Sequence, residues 1–468
     1  MNIAIIGAGI SGLSAAYHLR KTLPSAAVHL FECRSRIGGV IQSVNQNGYQ
    51  IELGPDNFIT TVPWGVALCK ELGLERQLLQ TNPKYRRTYI VRNDNLYLMP
   101  DGFLMMAPTK LVPLALTPLL SPFGKIRAAM ELFIPNRKDD RDETMSHFVK
   151  RRLGREVFER LVEPLVSGIY AADMDKLSVL ATLPRFREME REHGSLIRAM
   201  QKQLKVNRSA HLEEQSGARY SMFITLKNGL ATLCETLAKK LPKNCLNLNV
   251  KVKKITKSEN GKWNVETTEN GTKQNHYQFD KIILAVPAHE AAVLLQESMP
   301  ALSEKLAKIP YEGTAIVSFA FDEEQMKRKV NGMGFVVPKR EHSPILAGSF
   351  SSLKYEGRAP EGKLLLRIFA GGARFPEAAS MPDKELVPLL QDEIRHILKI
   401  DGEPLLTKIA HWENTMPQYY VGHRELAADI QSLVNAEPAL ALAGNYFNGV
   451  GIPNCIKSGT DAAEKFIG

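Results

Sequence analysis

Cysteine is scarce in this chain: Cys33, Cys69, Cys234, Cys245 and Cys455 stand among 468 residues, odd in number and never as a CxxC pair. That scatter argues against a disulfide framework, a zinc centre or an iron–sulfur cluster, and for a reducing cytosol. Acidic residues are in deficit, 50 Asp and Glu against 60 Lys and Arg, which leaves a formal net charge of +10. The excess suits an anionic substrate or an acidic membrane surface, or serves solubility alone. Nucleic acid is not expected as a partner, because no stretch interleaves basic and aromatic residues in a recognisable module. A long uninterrupted apolar run is also missing. The most apolar segment, Phe103 to Leu120, carries Lys110, Pro108, Pro113 and Pro118, and prolines at that density break a spanning helix. It reads either as short core helices lining a pocket or as helices resting on a membrane surface, with Lys110, Lys125 and Arg127 near the headgroups. No leader is expected ahead of the first strand, so the expected location is the cytoplasm. No Ser/His/Asp or metal-ligand constellation is evident: His193, His211, His289 and His423 are isolated and read as structural or surface residues.

What is present starts at once. Ile3 to Ile6 form an apolar run, as expected of a parallel strand covered on both faces. It enters Gly7-Ala8-Gly9-Ile10-Ser11-Gly12, a helix over Ser11 to Leu23, and a second strand, Ala27 to Phe31, that delivers Glu32. This strand, helix, strand, acid order is the dinucleotide-binding pattern: Gly9 lets the backbone approach a pyrophosphate, Gly12 lets helix and sheet pack closely, and Glu32 can accept from ribose hydroxyls. Arg36-Ile37-Gly38-Gly39 supplies a second glycine pair, with Arg36 as a charge-assisted donor, and Gly54-Pro55-Asp56-Asn57 follows.

Further along, Ser146 to Gln203 reads as helical and Val206 to Arg219 as a polar surface loop. A helix runs from Leu230 to Leu241. Leu248 to Ile255, Trp263 to Thr268 and Tyr277 to Val286 read as strands, with Asn270-Gly271 as a hairpin turn. A second β-rich block (Ala315 to Phe321, Gly334 to Val337, Ile345 to Ser349, Leu364 to Phe369) and a helix from Asp383 suggest a substrate domain, which makes the first domain discontinuous. Near the C-terminus, strand Ala439 to Ala443 leads through Gly444-Asn445 and Gly449-Val450-Gly451-Ile452-Pro453 into a last helix. A second helix N-terminus of this kind suits the electron-rich ring of a flavin.

These motifs, with Glu163-Pro164-Leu165-Val166-Ser167-Gly168-Ile169-Tyr170-Ala171-Ala172-Asp173, and Trp412 with Met416 to Tyr419 and Gly422-His423, resemble the protoporphyrinogen/coproporphyrinogen oxidase family over essentially the whole chain. The resemblance is to the soluble Gram-positive type. It implies an α/β fold: a discontinuous Rossmann-like FAD-binding domain of the glutathione-reductase/amine-oxidase type (1–80, 221–300 and 408–468), a mixed α+β substrate domain (81–100 and 301–407) and a helical, membrane-binding-like domain (101–220). It implies non-covalent FAD held by Gly7, Ala8, Gly9, Ile10, Ser11, Gly12, Glu32, Cys33, Arg36, Gly38, Gly39, Val40, Gly54, Pro55, Asp56, Asn57, Val252, Trp412, Gly444, Gly451, Ile452 and Pro453. Gly168, Ile169 and Tyr170 would meet the substrate; alternatively Gly168 ends a core helix as its left-handed cap.

The implied reaction is six-electron oxidation of coproporphyrinogen III, with protoporphyrinogen IX as a further substrate, O2 as acceptor and hydrogen peroxide as product. Flavin carries the hydride, so no catalytic side chain is assigned. Peripheral contact with the inner face of the membrane and hand-over to a ferrochelatase are implied as well. Thr60-Thr61-Val62 is uncharged, so no basic residue there meets a substrate carboxylate. The competing readings are an amine oxidase or desaturase of the same superfamily, against which Asn445 stands, and a non-catalytic flavin- or porphyrin-binding protein.

Overall fold

The first strand is apolar from Ile3 to Ile6 because both its faces are covered there. In the computed structural model, which describes residues 1–202 and 222–467, Asn2–Ile6 is central in a five-stranded parallel sheet. The order is Leu246–Asn247, Ala27–Phe31, Asn2–Ile6, Lys281–Leu284, Leu440–Leu442. Ile3 and Ile5 enter a core shared with helices Ile10–Thr22, Ala231–Lys240 and Ile452–Glu464. Ala4 and Ile6 enter the core of the opposite face, built with helix Ala288–Leu295 and an antiparallel sheet of Val250–Lys257, Trp263–Glu269 and Lys273–Phe279. The last helix crosses the start of the first in direct contact, since a Cβ on Gly459 would lie 2.1 Å from the Ser11 carbonyl oxygen.

The hairpin turns at Asn270 and Gly271, as expected, with φ of 50° and 78°. The single strand expected over Tyr277 to Val286 is two strands. Lys273–Phe279 pairs antiparallel with Trp263–Glu269, and after Asp280 the chain changes sheets, so Lys281–Leu284 pairs parallel with Asn2–Ile6.

The larger sheet has seven strands in the order Leu406–Pro417, Tyr311–Asp322, Lys363–Gly371, Ile345–Phe350, Gly334–Val336, Thr88–Arg92, Asn95–Leu98. Helix Asp383–Leu398 packs on one face of it. Hairpin Ser43–Gln46/Tyr49–Glu52 covers part of the other, with Tyr49 and Ile51 against Ala320 and Leu365. The expected cut at residue 408 falls inside strand Leu406–Pro417, which is hydrogen-bonded to Tyr311–Asp322 as an outer strand of this sheet; a boundary after Pro417 fits the pairing.

The helical expectation over 146–203 resolves into Met145–Leu153, Arg155–Val157, a wider π-turn Phe158–Val162, Glu163–Tyr170, Val179–Thr182 and Pro184–His193. Pro164 has no N–H for the carbonyl one turn earlier, and the chain opens into the π-turn just before it. Residues 103–120 are equally divided: a small hairpin, Phe103–Leu104 with Ala107–Pro108, then helix Leu111–Leu116, with Pro122–Ala129 beyond. The loop expected over Val206 to Arg219 lies outside the described residues, as does His211.

Candidate cofactor and substrate site

Two kinds of glycine build the cradle. A Cβ on Gly12 would sit 1.9 Å from the Gly7 carbonyl oxygen, so the protein's own packing requires that glycine. A Cβ on Gly9 would meet no protein atom within 4 Å, so the bare backbone there faces open space in which a ligand can approach. Glu32 is buried at the edge of this space. Its Oε2 accepts from the Ala8 N–H at 2.9 Å and its Oε1 from the Arg34 N–H at 3.0 Å, which fixes the carboxylate. Helices Ile10–Thr22 and Ile452–Glu464 begin at Gly9 and Gly451, neither of which offers a side-chain cap. The first-turn N–H groups of both helices are therefore donors at the same opening.

Residues 53–57 tie the two sheets together. Trp412 Nε1 donates to the Leu53 carbonyl at 2.6 Å, Arg367 donates to the Gly54 carbonyl, and Lys354 Nζ lies 2.8 Å from Asp56 Oδ2. Arg367 Nη1 is 3.4 Å from the same oxygen, and Asn57 Nδ2 donates to Asp56 Oδ1 at 2.6 Å. Burial alone would push the Asp56 carboxyl up, but Lys354 and Arg367 outweigh it and hold the group below the usual carboxylate range. The strip is thus clamped by side chains from 298 and 313 residues away in sequence.

One cavity of about 1930 Å³ runs from Gly9 and Glu32, past residues 54–57, Trp412, Gly444 and Gly451, to a second compartment. Single-ligand pockets are typically about 300–1,000 Å³, so this space holds two sizeable ligands. The second compartment has an apolar wall of Leu165, Ile169, Tyr170, Leu183, Val336, Leu346 and Phe369. Tyr170 donates to the Thr182 carbonyl at 3.4 Å, and burial pushes its phenol up to about 12. Gly168 is inside helix Glu163–Tyr170 and is not its cap: the left-handed residue is Ala171, at φ 52°. Thr61 and Val62 line the cavity, uncharged as expected.

Most of the expected residues share this wall; Ala8, Gly12 and Arg36 do not. Ala8 is fully buried and Gly12 packs on Gly7. Arg36 is drawn back onto Trp412, 5.8 Å from the ring centroid, and donates to the Ile37 carbonyl; burial, then the neighbouring Arg34, lower its pKa. Arg34, stacked on the same ring at 5.8 Å, lines the cavity instead. Sequence reasoning missed Arg34 although it stands two residues before Arg36, and missed Lys354, which lies in no motif. Of the histidines, His289 and His423 line the cavity and burial lowers both pKa values; His423 stacks on Tyr419 at 4.1 Å. All five cysteines are free, and no group of metal-ligating side chains is found among the described residues.

A glycine cradle, a buried carboxylate fixed at its edge and two helix N-termini fit a flavin dinucleotide. The family model for flavin-containing amine oxidoreductases matches residues 10–467. The chain belongs to that family. Its similarity to curated members runs end to end: it is 35% identical to the coproporphyrinogen III oxidase of Bacillus subtilis over 99% of this chain and 97% of the relative. It is 34% identical to that of Staphylococcus aureus over 100% and 99%, and 30% identical to the chloroplastic protoporphyrinogen oxidase of Nicotiana tabacum over 100% and 86%. Among solved structures, a protein of Exiguobacterium sp. 255-15 assigned as a protoporphyrinogen oxidase matches at TM-score 0.86 and 28% identity, covering 100% of this chain and 98% of that one. Cyclohexylamine oxidase from Brevibacterium oxydans, at TM-score 0.69 and 16% identity over 100% and 98%, shares the fold. As in the rest of the family the cofactor is a flavin, and the dinucleotide cradle makes it FAD.

Proposed function

We propose that this protein is an FAD-dependent oxidase that converts coproporphyrinogen III to coproporphyrin III in haem biosynthesis, with O2 as electron acceptor. The reading rests above all on the continuity of one cavity from the nucleotide cradle to an apolar chamber, in a chain that porphyrinogen oxidases match end to end. Bound flavin supplies a two-electron acceptor able to take a hydride from a ring carbon. The chain's own residues do the rest. Gly9 and the N-terminus of helix Ile10–Thr22 receive the pyrophosphate, and Glu32 receives ribose hydroxyls. The N-terminus of helix Ile452–Glu464 would offer donors to the part of the flavin that gains electron density. Leu165, Ile169, Tyr170 and Val336 offer apolar contact to the tetrapyrrole ring and exclude water, and Asp56, kept ionised by Lys354 and Arg367, fixes residues 54–57 in the cavity wall.

The test is coproporphyrinogen III in air, read as porphyrin fluorescence and peroxide. About three peroxides per ring are expected, because six electrons leave through a two-electron carrier. Flavin-loaded protein inert toward both coproporphyrinogen III and protoporphyrinogen IX would overturn the reading.

Peripheral membrane contact, and release of porphyrin there to a chelatase, belong to the same proposal. Among the described residues no helix is long and apolar enough to cross a membrane. Yet Val112, Leu116, Phe123, Ile126 and Phe133 stand exposed on and beside the two short helices, with Phe123 84% and Phe133 81% accessible. Such a patch supports an interfacial role.

A further inference from the structure

The cavity that would take the tetrapyrrole is lined by a cation with no hydrogen bond or ion pair among the described residues. Helix Pro184–His193 begins directly after Leu183, and Thr182 just before it accepts the Tyr170 hydroxyl. The start of this helix therefore adjoins the apolar wall. Four arginines of this region line the cavity: Arg137, Arg185, Arg187 and Arg191. Arg137 Nε donates to Asp139 at 2.9 Å. Arg187 is committed to Glu190 at 2.6 Å and to the Asp139 carbonyl at 2.6 Å. Arg191 lies 3.9 Å from Asp140. Arg185 alone of the four has no hydrogen bond or ion pair among the described residues, and Glu188 on the next turn does not reach it within 4 Å. Its guanidinium lies over the Phe186 ring, 4.9 Å from the centroid, and Phe186 is fully buried. Arg185 is exposed, so its N–H groups are open to a carboxylate that approaches from the cavity.

We propose that Arg185 receives a propionate carboxylate of the tetrapyrrole and so sets the position of the ring in the chamber. The inference rests on the porphyrinogen reading and adds to it the carboxylate-binding residue that the uncharged Thr61-Val62 wall does not provide. Glu188, Asp139 and Asp140 line the same end of the cavity and oppose a carboxylate that misses Arg185, which sharpens the choice of position.

The test compares wild-type protein with Arg185→Ala, Arg185→Lys and Arg185→Glu, each loaded with FAD, by two measurements. In turnover of coproporphyrinogen III, Arg185→Ala is expected to raise KM about tenfold with kcat within twofold, Arg185→Lys to recover part of the loss, and Arg185→Glu to exceed it. In direct binding, read by fluorescence, coproporphyrin III is expected to bind Arg185→Ala about tenfold more weakly, while its tetramethyl ester, which keeps the ring and removes the charges, binds both proteins alike. Equal affinity of the two proteins for coproporphyrin III overturns the role of Arg185 and leaves the oxidase reading standing. Binding that depends on Arg185 without any turnover overturns the oxidase reading and leaves Arg185 standing. No binding by the wild-type protein overturns both.

Discussion

Gly9 and Gly12 stand three residues apart in one motif and answer to different masters. Because a Cβ at position 12 collides with Gly7 and one at position 9 meets nothing in the protein, the two substitutions separate folding from ligand approach. Gly12→Ala is expected to lower the melting temperature of the flavin-free protein, whereas Gly9→Ala leaves that temperature unchanged and weakens FAD binding at least tenfold, as thermal melts and flavin titration would show. Asp56 gives a pH-dependent counterpart. Its folded pKa is depressed by Lys354 and Arg367, so the stability it contributes is complete above the unfolded value of about 3.9 and is lost as pH falls through the lower folded value. The stability gap between wild type and Asp56→Asn, from urea midpoints, should stay level from pH 7 to 5 and shrink below about pH 4. The glycines and Glu32 were legible because a dinucleotide imposes its demands on one short stretch. Lys354 and Arg367 were not, because their partners at 54–56 lie about three hundred residues away and no local pattern marks an ion pair of that span.

Among the elements, the helical layer depends on a buried pair. Arg152 and Glu131 have fully buried side chains; Arg152 Nε donates to Glu131 at 2.9 Å, while Glu131 also accepts from Ser195 and from the Leu196 N–H at 2.8 Å. Arg152→Ala strands the carboxylate and is expected to cost about 3–5 kcal/mol, seen as a lower urea midpoint. Replacing Glu131 and Arg152 together with Leu and Met should not restore it, because Ser195, the Leu196 N–H and the Gly194 carbonyl then lose their partners. Helices Leu111–Leu116 and Pro122–Ala129 make the opposite case, with apolar side chains facing outward. Phe123→Glu with Phe133→Glu is expected to abolish co-sedimentation with anionic vesicles while kcat stays unchanged. Proline spacing showed that residues 103–120 do not span a membrane, but exposure on a six-residue helix follows from what it fails to pack against, and composition does not carry that. Likewise the strand break at Asp280 has no turn residues to announce it, because the chain passes from one sheet into another without reversing.

At the scale of the molecule, two sheets with separate cores meet along residues 53–57. Trp412 belongs to the larger sheet and holds the Leu53 carbonyl beside the cavity, so Trp412→Phe is expected to reduce the rise in melting temperature that FAD produces, as a thermal-shift titration would record. That one parallel sheet takes strands from distant parts of the chain was readable from the return of the Ile282 strand and the C-terminal Gly-rich turn. The place where the last of those parts begins was not, since Leu406–Pro417 shows no period-two alternation and only its pairing with Tyr311–Asp322 assigns it. The same discontinuity has a meaning in time. Strand Leu440–Leu442 closes the parallel sheet beside Lys281–Leu284, and Gly459 seats the last helix on Ser11 of the first. At roughly 5–20 residues per second, the opening strand waits about 20–90 s on the ribosome for the segment that completes its cradle. Flavin loading is therefore expected only of a chain synthesised past its last helix, and a ribosome stalled short of Leu440 holds a nascent protein whose cradle lacks that strand and that helix.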